Sequence, residues 1–196
     1  MTHPKILCLS GSIRGGSFNT RLAALAKKKL ALANVPVTQI SLADYALPLF
    51  DADEEAASGL PRNAQALYDL FATHHGIFIA CPEYNASITP LFKNTLDWVS
   101  RVKRADNPTY HAFRNRVFAL GSASPGGFGG YRGLLAARHV IEIGLGGHVL
   151  AEQVSIPRCG ATFTESGDIS DEIVTIALDT VLQRLVEMAQ HYARKE

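Results

Sequence analysis

The sequence predicts an α/β protein, a doubly wound five-stranded parallel sheet of order 2-1-3-4-5 with helices on both faces. Three observations carry that prediction. Short, continuously apolar runs such as Ile6-Leu7-Cys8-Leu9 and Gly76-Ile77-Phe78-Ile79-Ala80-Cys81 are those of parallel strands covered on both faces. Segments of helical period alternate with these runs along the chain, the pattern of repeated β-α units. The stretches after the first, third and fourth runs are rich in Gly, Ser, Pro and Asn. Ligand-facing turns at the carboxyl ends of parallel strands have that composition.

Each element has its own signal. After the first strand, Thr20 to Leu32 reads as a helix with Leu22, Ala23, Leu25, Ala26 and Leu30 at helical spacing. Val35 to Leu42 reads as a second strand, with Pro36 tolerable at an edge or strand start. Ala43 to Pro61 is expected to be a long irregular segment whose acids form a solvated, functional or interface loop. A helix is expected over Asn63 to His75, with His74-His75 as a cationic pair at its end. The third strand leads through Pro82-Glu83-Tyr84-Asn85 to a helix at Pro90 to Arg101. A polar, basic loop, Val102 to Asn115, precedes a fourth strand at Arg116 to Leu120 and the glycine-rich Gly121 to Gly130. Tyr131 to Ile143 reads as a helix ended by glycines, His148 to Ile156 as the fifth strand, and Asp168 to Lys195 as the closing helix. With no repeat or linker, residues 1–196 are expected to form a single domain.

Composition narrows the partners. The chain has 196 residues, 47% hydrophobic and 19% charged, with a net charge of +1, so neither nucleic acid nor an anionic membrane is indicated. No apolar run is long enough to span a bilayer, and the amino terminus leads directly into a strand rather than reading as a signal peptide. Cys8, Cys81 and Cys159 are dispersed without a C-x-x-C and are expected to be reduced, in a cytoplasmic protein. No histidine has metal-ligand partners, so no metal site is expected.

The chemistry centres on Ser10 to Thr20, a strand-to-helix turn. Gly11, Gly15 and Gly16 allow close backbone approach, while Ser10, Ser12, Ser17, Asn19 and Thr20 offer hydrogen bonds and Arg14 supplies charge. Free N–H groups and the helix dipole make such a turn an oxyanion site. The glycine spacing is not G-x-G-x-x-G, and Ser17 stands where a triphosphate-binding loop requires lysine, which favours a terminal monophosphate. The Pro82 to Asn85 loop falls across the switch point from it, between strands one and three. It presents Tyr84, while Ser122 and Gly126-Gly127 admit something flat. A phosphate at one end and a plane at the other suggest flavin mononucleotide.

Gly11-Ser12-x-Arg14-x-x-Ser17-x-Asn19, with Pro82-Glu83-Tyr84-Asn85 and Lys93-Asn94-x-x-Asp97-Trp98, resembles the NAD(P)H-dependent FMN reductase family. The resemblance runs from Lys5 to about Ser155 and implies a flavodoxin-like fold. It implies that Ser10, Ser12, Arg14, Ser17, Asn19 and Thr20 hold the FMN phosphate, that Pro82, Glu83, Tyr84 and Asn85 line the isoalloxazine ring, and that Ser122, Gly126 and Gly127 close its far side. The Lys93 to Asp97 helix is implied in a homodimer or homotetramer interface. The implied activity is a ping-pong reduction of a quinone, azo compound, free flavin, chromate or oxygen by NADPH or NADH, with the flavin carrying the chemistry.

Other readings stay open on the sequence alone. Cys8 to Arg14 is C-x5-R, the spacing of low-molecular-weight tyrosine phosphatases, although Cys8 lies within the apolar strand. A flavodoxin-like electron carrier is a second alternative, weakened by the near-neutral charge. Lys93 and Asp97 also suit a simple surface ion pair, and Arg101, Lys103 and Arg104 suit a solvated basic loop as well as the 2′-phosphate of NADPH.

Overall fold

The computed structural model describes residues 3–104 and 109–194. Five parallel strands, β1 (Ile6–Ser10), β2 (Val37–Gln39), β3 (Gly76–Ala80), β4 (Val117–Ala123) and β5 (His148–Ile156), form one sheet of order β2-β1-β3-β4-β5. The helices are α1 (Phe18–Leu32), α2 (Ala52–Ser58), α3 (Arg62–Thr73), α4 (Pro90–Arg101), α5 (Tyr131–His139), the single turn α6 (Cys159–Thr162) and α7 (Glu172–Ala193). Among the described residues no helix is long and apolar enough to cross a membrane.

Strand alternation divides the core in two. Leu7, Leu9, Ile77 and Ile79 pack under Leu67, Phe71, Phe92 and Trp98 of α3 and α4. Ile6, Cys8, Phe78 and Ala80 face Leu22 and Ala26 of α1 and Leu178, Val181 and Leu185 of α7. Because β1, β3 and β4 are buried along their whole length, their continuous apolar runs are what the sheet requires. The topology reverses at β1, so the turns after β1 and β3 flank one crevice.

Three expectations need correction. The Ala43–Pro61 segment is not irregular throughout, since a 3-10 turn at Leu42–Tyr45 runs into it and α2 lies within it. Asp51 caps α2 through Asp53 N–H, three acids occupy its first turn, and Gly59 ends it at φ +76°. None of its residues is buried, which is why no apolar period marks it. The His74-His75 pair is buried rather than a solvated cationic helix end. His74 Nδ1 lies 2.7 Å from Leu70 O and Nε2 2.9 Å from Thr38 Oγ1, and His75 Nδ1 accepts from Lys5 N–H. Burial is the main force holding the His74 ring below its ordinary pKa.

Strand β4 is the third. It continues beyond Leu120 to Ala123, with Ser122 paired to Ser155 of β5. Residues 105–108 of the expected basic loop, and Lys195 of the closing helix, lie outside the described residues.

Candidate functional site

The turn after β1 enters α1 with no side-chain cap on the helix start. Ser17, the N-cap, is extended at φ −62°, ψ 128°, but its buried hydroxyl makes no capping bond, and no acid stands in the first turn. By contrast, Thr89 caps α4 and Asp171 caps α7. Within the turn, Ser10 Oγ accepts from Ser12 N–H at 3.2 Å and Ser12 Oγ from Arg14 N–H at 3.3 Å, so the two serines shape the loop from inside. Among the described residues, the exposed Arg14 guanidinium has only a 3.3 Å bond to Gly15 O. Uncapped helix amides, hydroxyls and one available guanidinium are a donor set that fits a phosphomonoester.

Three side-chain latches hold this turn and the neighbouring loops in place. Asn19 donates to Ala123 O at 2.8 Å and accepts from Ala123 N–H at 3.0 Å, joining α1 to the end of β4. Thr89 Oγ1 donates to Gly11 O at 2.7 Å while accepting from Phe92 N–H at 3.2 Å, joining the turn to α4. Gly11 packs closely there, since a Cβ would stand 3.1 Å from Pro82 Cδ and 3.2 Å from Phe92 Cβ and would push both aside by a few tenths of an ångström. The third latch is Glu83, whose side chain is only 8% exposed. It accepts from Gly133 N–H at 3.1 Å and Arg132 Nε at 2.8 Å, tying the β3 loop to the start of α5. Burial pushes the Glu83 carboxyl up, but the bonds from Arg132 and Gly133 and the Arg132 charge outweigh it, leaving the group below the usual carboxylate range.

The β3 loop closes as a tight hairpin, with Tyr84 N–H to Ser87 O at 2.9 Å and Ser87 N–H to Tyr84 O at 3.0 Å. Asn85 and Ala86 at its tip are left-handed, with φ +52° and +64°, as a type I′ turn demands. The turn leaves Tyr84 half exposed. Between the two loops a hollow of about 100 Å³ is lined by Ser12, Arg14, Ser17, Asn19, Pro82, Glu83 and Tyr84, with Ala123 to Pro125 opposite. Across Ser12, Arg14 and Tyr84 it adjoins a second hollow of about 270 Å³ reaching Thr89, Pro90 and Leu91. Together the two fall within the roughly 300–1,000 Å³ of small-molecule sites. An apolar hollow of about 340 Å³ between Leu30 and Val186 is larger than either, but it lies away from the strand carboxyl ends where chemistry is placed in this architecture.

The structure brings most of the expected residues together, in different roles. Ser12, Arg14, Ser17, Pro82, Glu83 and Tyr84 line the first hollow, while Ser10 and Thr20 face a separate cleft beside β2. Asn19 also lines it, but both ends of its amide are committed to Ala123. Asn85 sits at the exposed hairpin tip. Ser122 does not reach the hollow. It is fully buried in β4, its hydroxyl has no partner, and it packs so closely under Gly130 that a Cβ there would lie 1.8 Å from Ser122 Oγ. Positive φ and crowding require both Gly130, against Ser122, and Gly129, whose Cβ would stand 2.8 Å from Pro157 N, whereas a Cβ on Gly127 would meet nothing within 4 Å. Nothing within the chain itself requires Gly127 to be glycine. Thr89, Arg132 and Gly133 were not anticipated. Thr89-Pro90 does carry the N-cap and N1 signature, but a pairing across 49 residues leaves no local trace.

The placement of Cys8 argues against the phosphatase reading. Its side chain is buried between β1 and α1, and desolvation pushes the thiol up to about 12, against a small opposing effect of Lys27. A thiol so placed supplies no thiolate nucleophile.

The profile of the family described as NADPH-dependent FMN reductase matches residues 4–160. The chain belongs to that family. Its members use FMN and NAD(P)H. Among its relatives, a quinone reductase of Escherichia coli K12 is 38% identical over 99 residues, 50% of this chain and 51% of that protein, so the chain matches about half of that relative's length. An NAD(P)H-dependent FMN reductase of Pseudomonas aeruginosa is 32% identical over 184 residues, 92% of each chain. Among solved structures, the flavoenzyme NAD(P)H:(acceptor) oxidoreductase FerB of Paracoccus denitrificans superposes with a TM-score of 0.73 at 20% identity, covering 96% of this chain and 98% of its own. At that identity the likeness shows the shared fold.

Proposed function

We propose that this FMN reductase family member is an NAD(P)H-dependent oxidoreductase for a small acceptor such as a quinone, azo compound, free flavin, chromate or oxygen. The observation that carries the reading is the uncapped start of α1 beside Arg14, Ser12 and Ser17, latched through Thr89 to α4 and facing Tyr84 across one crevice. Bound FMN supplies hydride transfer from NAD(P)H and onward reduction of the acceptor, in a ping-pong sequence. The protein's part is position and electrostatics. Arg14, the Ser12 and Ser17 hydroxyls and the α1 amides hold the phosphate. Pro82, Glu83, Tyr84 and Asn85 border the ring, mainly through backbone groups and the Tyr84 face, and Gly126-Gly127 leaves room beside it. Asn19, Thr89 and Glu83 hold the three loops in register, so the site is organised before the ligand arrives.

The whole chain acts as one domain in the cytoplasm, and a homodimer or homotetramer uses α4. Lys93 and Asp97 form a 2.6 Å exposed pair on that helix, while Asn94 and Trp98 are turned inward, both donating to Pro48 O at 2.8 Å. Steady-state oxidation of NAD(P)H by a quinone, with no protein partner added, tests the reductase reading. Turnover supports an enzyme, and flavin binding without turnover returns the carrier.

A further inference from the structure

A polar cleft of about 330 Å³ lies beyond the phosphate turn, between α1 and the carboxyl end of β2. Among the described residues, three of its side chains make no hydrogen bond or ion pair. Lys28 pairs with Asp168 and Lys29 with Asp179, each at 2.7 Å, but Lys27 has no acidic partner within 4 Å among the described residues. Neither the Gln39 amide nor the Asp44 carboxylate makes a hydrogen bond there. Thr20 and Lys27, seven residues apart, share one face of α1, and a helical lysine leans toward its helix start, here toward the turn. Ser12 lines both this cleft and the crevice of the proposed FMN site, so the two meet at that residue.

We propose that this cleft is a subsite for the adenosine-phosphate arm of a dinucleotide. A cation, a hydroxyl-accepting carboxylate, a two-way amide and an apolar contact are what that arm needs, in that order. Lys27 meets the phosphate. Asp44, just beyond β2, accepts from the ribose diol, as acids placed there do in other doubly wound sheets. The Gln39 amide pairs with the base edge, and the half-buried Ile40 lies against its face. The carboxylate disfavours a bare anion, since Asp44 would repel a phosphate that brought no sugar.

The proposal rests on the FMN reading only for what lies next door, and two dinucleotides carry the arm, FAD and NAD(P)H. The test is calorimetric titration of ADP-ribose into the protein with and without FMN, in the wild type, Lys27→Ala and Asp44→Asn. Saturable binding that Lys27→Ala weakens about tenfold and Asp44→Asn severalfold, with FMN fluorescence quenching unchanged, supports the subsite. If FAD then binds the apoprotein tighter than FMN, and Lys27→Ala removes that advantage, the arm is the flavin's. If instead Lys27→Ala raises the KM for NADPH and leaves kcat unchanged, the arm is the cosubstrate's. Absent ADP-ribose binding, or binding indifferent to both substitutions, overturns the proposal. Loss of FMN quenching in the wild type overturns the FMN reading alone.

Discussion

Asn19 and Ala123 exchange two hydrogen bonds, at 2.8 and 3.0 Å, across 104 residues of sequence. The pair is buried, so the Asn19 amide is spent on joining α1 to β4 rather than offered to a ligand. Removing it leaves a buried N–H and C=O without partners. Asn19→Ala should therefore destabilise the fold by about 2–4 kcal/mol, from lost bonds and orphaned groups together. Urea unfolding measures it, and a loss under 1 kcal/mol would mean the latch is incidental.

Arg14 should behave in the opposite way. Its guanidinium is exposed and, among the described residues, bonded only to Gly15 O, so Arg14→Ala should leave the unfolding midpoint within experimental error. FMN affinity should fall about tenfold or more, the ~1.5–3 kcal/mol of a hydrogen bond to a charged group. Riboflavin, which has no phosphate, should bind wild type and variant alike.

Glu83 predicts a pH dependence. Its carboxyl titrates lower folded than unfolded. The stabilisation is thus present above the unfolded value, about 4.3, and is lost as pH falls through the lower folded value. Wild type should be more stable than Glu83→Gln at neutral pH, and the gap should close below pH ~4. A gap independent of pH would assign the effect to packing rather than to the ion pair with Arg132.

Ala86 holds a left-handed conformation at φ +64° without the freedom of glycine. Ala86→Gly should raise stability by about 0.5–1 kcal/mol by relieving that strain. A loss of stability would show that its methyl group is needed.

Cys8 should be inert at neutral pH. With its thiol pushed up to about 12 by burial, native protein should resist alkylation at that position and hydrolyse no aryl phosphate. Cys8→Ser should leave NAD(P)H oxidation nearly intact.

The strands, their order and the crevice were legible because a buried parallel sheet needs continuous apolar runs, and because glycine and serine gather where a ligand approaches. β5 occupies the expected His148–Ile156. Roles within the site were less legible. Hydroxyl-rich sequence does not say which way a side chain turns, so Ser10 and Thr20 read as one set with Ser17, although they line only the β2 cleft and not the first hollow. Ser122 was expected in a loop because Gly121 looked like a strand end. In the fold Gly121 is interior, its missing side chain making room for Phe78 and Val154. The latches of Asn19, Thr89 and Glu83 each join segments distant in sequence and exist only once the sheet is assembled.

The most direct measurement is the absorbance spectrum of FMN-reconstituted protein under anaerobic conditions, before and after one equivalent of NADPH, then after a quinone. A flavin band that bleaches with NADPH and returns with the quinone is the expected result. A bound flavin that NADPH leaves unbleached would contradict the reductase reading, and failure to bind FMN at all would contradict the site itself.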